Sequence, residues 1–334
     1  MINKKAFEIQ FNWIFILVAG AAIILFFTVV VVKQKSISDT SIKTTILKSI
    51  EAIITGASVS KDTINIIDIP SSDIKVSCGR ITIDGTSKTY QNLILFAPSL
   101  IKGNKLTTQT LTFSVPYRAT NLLYITSQHL RYIIIGDTTL AKEINKSLPS
   151  NLKKEFYKTE PQLKDSNDYK VRFIVFGNMI NFPKSLGKMP DSDVSAVRVI
   201  GNDEKGTIEL YQKDKDTWLL KDTSDYIGKQ SLIGAIYADT IEVYECNMQN
   251  AFSRLNLVTR VYIDRTNQLI IANAISERDI QCNQIYNNAL VQLDRINDLS
   301  SNFNAHNIDI LLDASNLLAI ENKNAQINSC TLMY

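Results

Sequence analysis

Tyr132-Ile133-Ile134-Ile135 runs into Gly136-Asp137, and the same grammar recurs three times further along. Val171-Arg172-Phe173-Ile174-Val175-Phe176 leads to Gly177-Asn178, and Ala196-Val197-Arg198-Val199-Ile200 leads to Gly201-Asn202-Asp203. Leu232-Ile233-Gly234-Ala235-Ile236-Tyr237 leads to Ala238-Asp239. Strands buried on both faces lose the in-out alternation of a one-sided sheet, so these runs predict partly parallel strands of an α/β core. Two of them enter helical spacing, over 138–148 and from Thr240 onward. Asp137 and Asp239 are placed to cap those helices, and Asp239-Thr240-Ile241-Glu242 has the spacing of a capping box. Strand, cap and helix in that order are βα units, and the core is expected over 119–245. Thr207–Tyr211 and Thr217–Leu220 add an antiparallel pair around the turn at 213–216.

On the N-terminal side of this core the pattern is one of short alternating runs. Ile64–Ile69, Ile74–Val76, Arg80–Ile83, Asn92–Phe96 and Leu111–Val115 are separated by Pro70, Asp84-Gly85, Pro98 and Gly103-Asn104. They predict a β-rich, antiparallel subdomain over 60–118. On the C-terminal side, 246–334 reads as helical. Ile241, Tyr244, Met248, Phe252, Leu255, Val258 and Tyr262 follow 3–4 spacing, as do Ile285, Ala289, Leu293 and Ile296 after a break near 273–279. A third apolar segment covers 308–320. The fold class is therefore α/β in its core and α+β overall.

Residues 13–32, WIFILVAGAAIILFFTVVVV, carry no charge. At about 1.5 Å per residue this run matches the roughly 30 Å hydrocarbon core of a bilayer. Lys4 and Lys5 precede it, Lys33 and Lys35 follow it, and its end lacks the small-residue site at which a signal peptide is cut. A retained transmembrane helix at 13–32 is expected, with 1–12 cytoplasmic and the lipid bilayer as a partner. Ile42, Ile46, Leu47, Ile50 and Ile53 predict a juxtamembrane helix over 36–56 that ends at Gly56, within a stalk region over 33–58.

The net charge is +3 over 334 residues, and no basic run interleaved with aromatics occurs, so nucleic acid is not an expected partner. Twelve glycines, with neither GxxxxGK[ST] nor GxGxxG, argue against a phosphate-cradling loop. Cys78, Cys246, Cys282 and Cys330 are even in number and dispersed, which suits two disulfides in an oxidising compartment. Cys246 and Cys282 stand near the starts of successive helices, but four cysteines allow three connectivities, and four buried thiols in a cytosol-facing domain is the competing reading. Clustered Cys and His are lacking, so no structural metal is expected. Asn145-Lys146-Ser147 is the one glycosylation sequon. An extracytoplasmic domain is favoured.

The sharpest candidates for chemistry are the residues after the apolar runs: Asp137, Asn178, Asn202, Asp203 and Asp239. In open α/β sheets ligands bind beyond the carboxyl ends of the strands, and carboxylates gathered there would hold Mg²⁺ or act as acid and base. Gly, Asn and Asp are equally what a tight turn and a helix cap require, and that plainer reading carries more weight. His129, beside an apolar run, and His306, in a polar loop, are weak candidates for catalysis, and no GxSxG elbow is present.

The blocks Ala6–Phe27, Val115–Thr126 and Ile233–Val258 resemble uncharacterised single-pass membrane proteins of small archaea of the DPANN type. The resemblance implies an envelope location, and it transfers no activity and no site. Lys4-Lys5-Ala6 before Phe7-Glu8 also resembles a type IV pilin leader. There the glutamate stands fifth after the processing point, whereas here it would stand second. The expected function is a membrane-anchored extracytoplasmic envelope protein that binds a partner protein or a second copy of itself, with no cofactor. An ectoenzyme or ligand-binding domain using the strand-end residues, and a pilin-like filament subunit, are the alternatives.

Overall fold

A single helix, Lys4–Val59 (α1), takes in both the apolar run at 13–32 and the segment at 33–58, and it continues past Gly56. The structure, a computed structural model, describes residues 4–83, 85–90, 93–163, 168–273, 280–301 and 307–334, without the side chains at 4–16, 19, 35–43, 57–59 and 273. Two units divide the chain, Met1–Ile50 and Glu51–Tyr334. In the first, Leu17, Val18 and the large apolar residues from Ile23 to Val32 are exposed, from 39% at Val30 to 67% at Val32. Among the described residues no helix is long and apolar enough to cross a membrane. The side chains at 13–16 and 19, part of the expected span, lie outside them.

In the second unit, six strands form a mixed sheet: Ile64–Ser77 (β1), Arg80–Ile83 (β2), Thr86–Thr89 (β3), Leu95–Phe96 (β4), Leu100–Ser114 (β5) and Arg118–Ser127 (β6). Their order is β3-β2-β1-β5-β6-β4, antiparallel throughout except for β4 beside β6. Pro70 and Gly103-Asn104, expected as turns, lie inside the β1–β5 ladder. The register shifts there between Asp68 and Ser72, so three residues of β1 oppose one of β5. Such a bulge admits a proline that a regular ladder would reject. Gly103, at φ +129°, sits against the His129 ring, and a Cβ there would lie 2.8 Å from Cδ2. His129 is thus packed on the β5 backbone.

The second sheet holds the predicted apolar strands. Leu130–Ile135 (β7), Lys153–Tyr157 (β8), Lys170–Phe176 (β9), Val194–Gly201 (β10), Lys205–Asp214 (β11) and Thr217–Ile227 (β12) pair in the order β12-β11-β10-β9-β7-β8. β8, β7, β9 and β10 are mutually parallel, and β11 and β12 add the expected antiparallel pair. Thr139–Ser147 (α2) joins β7 to β8. Its cap is Thr138, whose Oγ1 accepts the Ala141 amide at 3.1 Å, in place of the expected Asp137.

The fourth apolar run is a correction. Leu232–Tyr237 is not a strand but most of a helix, Gly228–Tyr237 (α3), in which every residue from Ser231 to Tyr237 is buried. A short, uniformly apolar run fits a strand covered on both faces and a helix covered all round equally well. Ser231 settles the start, its hydroxyl accepting the Ile227 amide at 2.8 Å. Gly234 lets α3 approach the first sheet, because a Cβ there would lie 2.8 Å from the Phe96 ring. That ring is fully buried and stacks on Tyr124 with centroids 5.6 Å apart, so it has nowhere to go. Gly234→Ala is expected to destabilise the protein by about 1–3 kcal/mol, overpacking outweighing alanine's helix preference of about 1 kcal/mol. Equal or higher stability in urea titration would contradict the packing argument.

Three helices follow: Ile241–Asn273 (α4), Ile280–Ser300 (α5) and Ile308–Ile327 (α6). The break expected near 273–279 falls almost wholly outside the described residues, as does His306. One continuous apolar core links Phe96, Phe113 and Tyr124 of the first sheet to Tyr132, Ile174 and Val197 of the second and to all of α2–α6. The boundaries drawn at 118 and 245 therefore fall inside a single unit. The other face of the second sheet is covered by a smaller cluster that includes Phe173, Val175 and Leu186, with Phe182 and Trp218 against it.

Cys78 is bonded to Cys246 and Cys282 to Cys330, with Cα atoms 5.9 and 5.7 Å apart, inside the usual disulfide range. Cys246 and Cys282, adjacent in the helical layout, each pair elsewhere. One bridge ties the β1–β2 turn to the start of α4, and the other ties α5 to the C-terminal tail.

Candidate functional site

In chain order the parallel strands lie second, first, third, fourth, so the winding reverses between β7 and β9. At such a reversal the loops diverge and leave a crevice beyond the carboxyl ends of the strands. Asp137 leaves β7 and Asn178 leaves β9 at this point, and Asn202 and Asp203 leave β10 on the same edge. Four of the five residues expected at strand ends are thus brought to one edge.

Each has local work there. Asp137 is exposed and pairs with Lys142 at 2.8 Å and Lys158 at 4.0 Å; the Lys142 hydrogen bond and charge, then Lys158, hold its carboxyl below the ordinary range. The Asn202 Oδ1 accepts the amides of Glu204 at 2.9 Å and Lys205 at 3.0 Å, closing the β10–β11 turn. Asp203 lies 3.7 Å from Lys229, which also bonds Glu143. Asn178 is exposed. The β10–β11 turn separates two open clefts. One, of about 570 Å³, is lined by Asn202, Lys205, Thr207, Asp225 and the first turn of α6 at Ile308 and Asp309. The other, of about 430 Å³, is lined by Asp203, Glu204, Lys229, Gln230, Pro116 and Asn316. Among the described residues no three His, Cys, Asp or Glu side chains are grouped to hold a metal ion.

Asp239 is elsewhere. It follows α3, and its carboxylate pairs with Lys170, the first residue of β9, so it lies at the amino edge of the sheet. It is no helix cap either: the α4 cap is Thr240, whose Oγ1 faces the Val243 amide at 3.5 Å. The Asp239 carboxylate instead accepts the Ser99 amide at 2.7 Å and the Ser99 hydroxyl at 3.0 Å. Two residues along β9 on the same face, Arg172 is fully enclosed and donates through Nη2 to the carbonyls of Ala235 (2.9 Å) and Ala238 (2.7 Å). Those carbonyls end α3, where the helix dipole favours a cation. Sequence reasoning passed over Lys170, Arg172 and Ser99. The signal for the first two was present: two basic residues at alternate positions of a strand otherwise fit for burial on both faces share one side and need partners.

Comparison of the chain with protein-family models, curated proteins and solved structures finds no match.

Proposed function

We propose that this is a single-pass membrane protein of the cell envelope whose domain, 51–334, lies outside the cytoplasm and binds a partner protein or a second copy of the chain at the carboxyl edge of its parallel strands. The cysteine pairing carries the reading. All four cysteines are bonded, and one bridge joins residues 168 positions apart, an arrangement that persists in an oxidising compartment and is reduced in a cytosolic one. The uncharged run at 13–32, with exposed apolar side chains at Leu17, Val18 and the large apolar positions from Ile23 to Val32, supplies a tether on the N-terminal side of that domain. The carboxyl edge is favoured for binding because its two clefts are open, whereas α3 and the β4–β5 loop cover the amino edge around Asp239.

The expected result in intact cells is digestion of the domain by external protease, and peptide mapping without reductant that recovers Cys78 joined to Cys246 and Cys282 joined to Cys330. Free thiols at all four positions, together with protection from protease, would overturn the location. For the surface, a photo-crosslinking side chain at Glu204 is expected to trap one discrete adduct, whereas one at Lys221 on β12 traps none. Equal labelling from both positions would remove the carboxyl edge from the proposal.

A further inference from the structure

Buried polar atoms in folded proteins almost always find a partner, and a group of them without one marks a missing water or ion. Three such atoms belong to two residues that neighbour each other across one strand pair. Arg172 Nε and Nη1 and Ser195 Oγ are buried with no hydrogen-bond partner among the described residues. Arg172 of β9 and Ser195 of β10 are register partners in the parallel ladder, so their side chains leave the same face of adjacent strands about 4.8 Å apart. That face is the one covered by α3, and Arg172 and Ser195 are exposed by only 2% and 1%.

The chemistry of the three atoms selects the ligand. The guanidinium offers only donors, three N–H groups on Nε and Nη1, and the serine hydroxyl adds a fourth. The charge count gives the same sign. Lys170 and Arg172 are cations and Asp239 is the one carboxylate among them, so the enclosed cluster has one positive charge in excess. Burial pulls the Arg172 guanidinium down to about 10, so it remains charged at neutral pH. The α3 carbonyls satisfy Nη2 alone, so Nε and Nη1 stay unmatched on a residue whose register partner in β10 is Ser195.

We infer that Arg172 and Ser195 bind a small inorganic anion of halide size, enclosed between β9, β10 and α3. The ion neutralises the excess charge and accepts the N–H and O–H groups that the protein leaves unmatched. It does so in the interior, away from the clefts of the carboxyl edge, so this inference stands or falls independently of the proposed function.

The test uses the full chain in detergent micelles at fixed ionic strength, with chloride exchanged for gluconate. The melting temperature is expected to rise with chloride by about 2–6 °C, the increment given by an ion that binds only the folded state. Ser195→Ala is expected to shift half-saturation to about tenfold higher chloride, the fold-change for one lost hydrogen bond to a charged group. Arg172→Met abolishes the response if it folds, and Ser195→Ala keeps the test decisive if it does not. Crystals grown in bromide are expected to show an anomalous peak within hydrogen-bond distance of Arg172 Nη1 and Ser195 Oγ. Equal melting temperatures in chloride and gluconate, an unchanged chloride response in Ser195→Ala, or a water with no bromide peak would each overturn the assignment.

Discussion

Replacing Cys78 and Cys246 together by alanine is expected to lower stability by about 4–5 kcal/mol, with a fall in melting temperature on the order of 10 °C. The bridge closes a loop of 168 residues, and loop-closure entropy removed from the unfolded chain grows with the logarithm of that length. The second bridge, Cys282 to Cys330, spans 48, and its removal is expected to cost about 1 kcal/mol less on the same model. The order of the two losses is the discriminating quantity, measured as calorimetric melting of each double variant. If the shorter loop proves the more costly to open, native-state packing governs the bridges, since Cys282 is buried in the core cluster and Cys78 is exposed. The same exposure gives a second readout: under mild reductant Cys78–Cys246 opens first.

Asp239→Asn is expected to cost about 3–5 kcal/mol, because it leaves Lys170 buried without its counter-ion. The two side chains are exposed by 6% and 7%, so water cannot take the partner's place. Replacing both, Asp239→Leu with Lys170→Met, is expected to recover most of that loss, since a well-packed apolar pair avoids desolvating two charges. The pH dependence follows from the same geometry. Burial alone would raise the Asp239 carboxyl. The Lys170 charge and hydrogen bond, the Ser99 amide and Arg172 outweigh it, and the net direction is downward. A carboxyl held lower in the folded than in the unfolded chain contributes its full stability above the unfolded value of about 4 and loses it as the pH falls through the folded value. Wild-type stability is therefore expected to decline below about pH 4 more steeply than that of Asp239→Asn, measured by urea titration across pH 2–6. Parallel slopes would show that the pair does not form.

Much of the layout was legible because it is local. β7, β9 and β10 are visible as apolar runs, α2, α4 and α5 as helical spacing, α6 as an apolar segment, and the β11–β12 pair as alternation around a polar turn. β8, Lys153–Tyr157, escaped notice because its edge position lets it carry two lysines and a glutamate, with only Phe156 packed on the main core. The run at 232–237 was misread because burial from every side erases the periodicity that separates helix from strand. The site divided in the same way. Asp137, Asn178, Asn202 and Asp203 follow true parallel strands and reach one edge. Asp239 follows a helix, and this carries it to the opposite edge and into an ion pair with a residue 69 positions away.

By itself the sequence determined the uncharged run at 13–32, the positions of most strands and helices, and the even cysteine count that suits two bridges. Each depends on side-chain spacing within one segment, 2 for a strand and 3.6 for a helix, or on plain composition. Only the tertiary structure decided strand order, the partner of each cysteine and the neutralisation of Lys170 by Asp239. Those contacts join segments far apart in the chain. Whether they form depends on the burial gained against the entropy of closing the loop between them, a balance that no single segment carries.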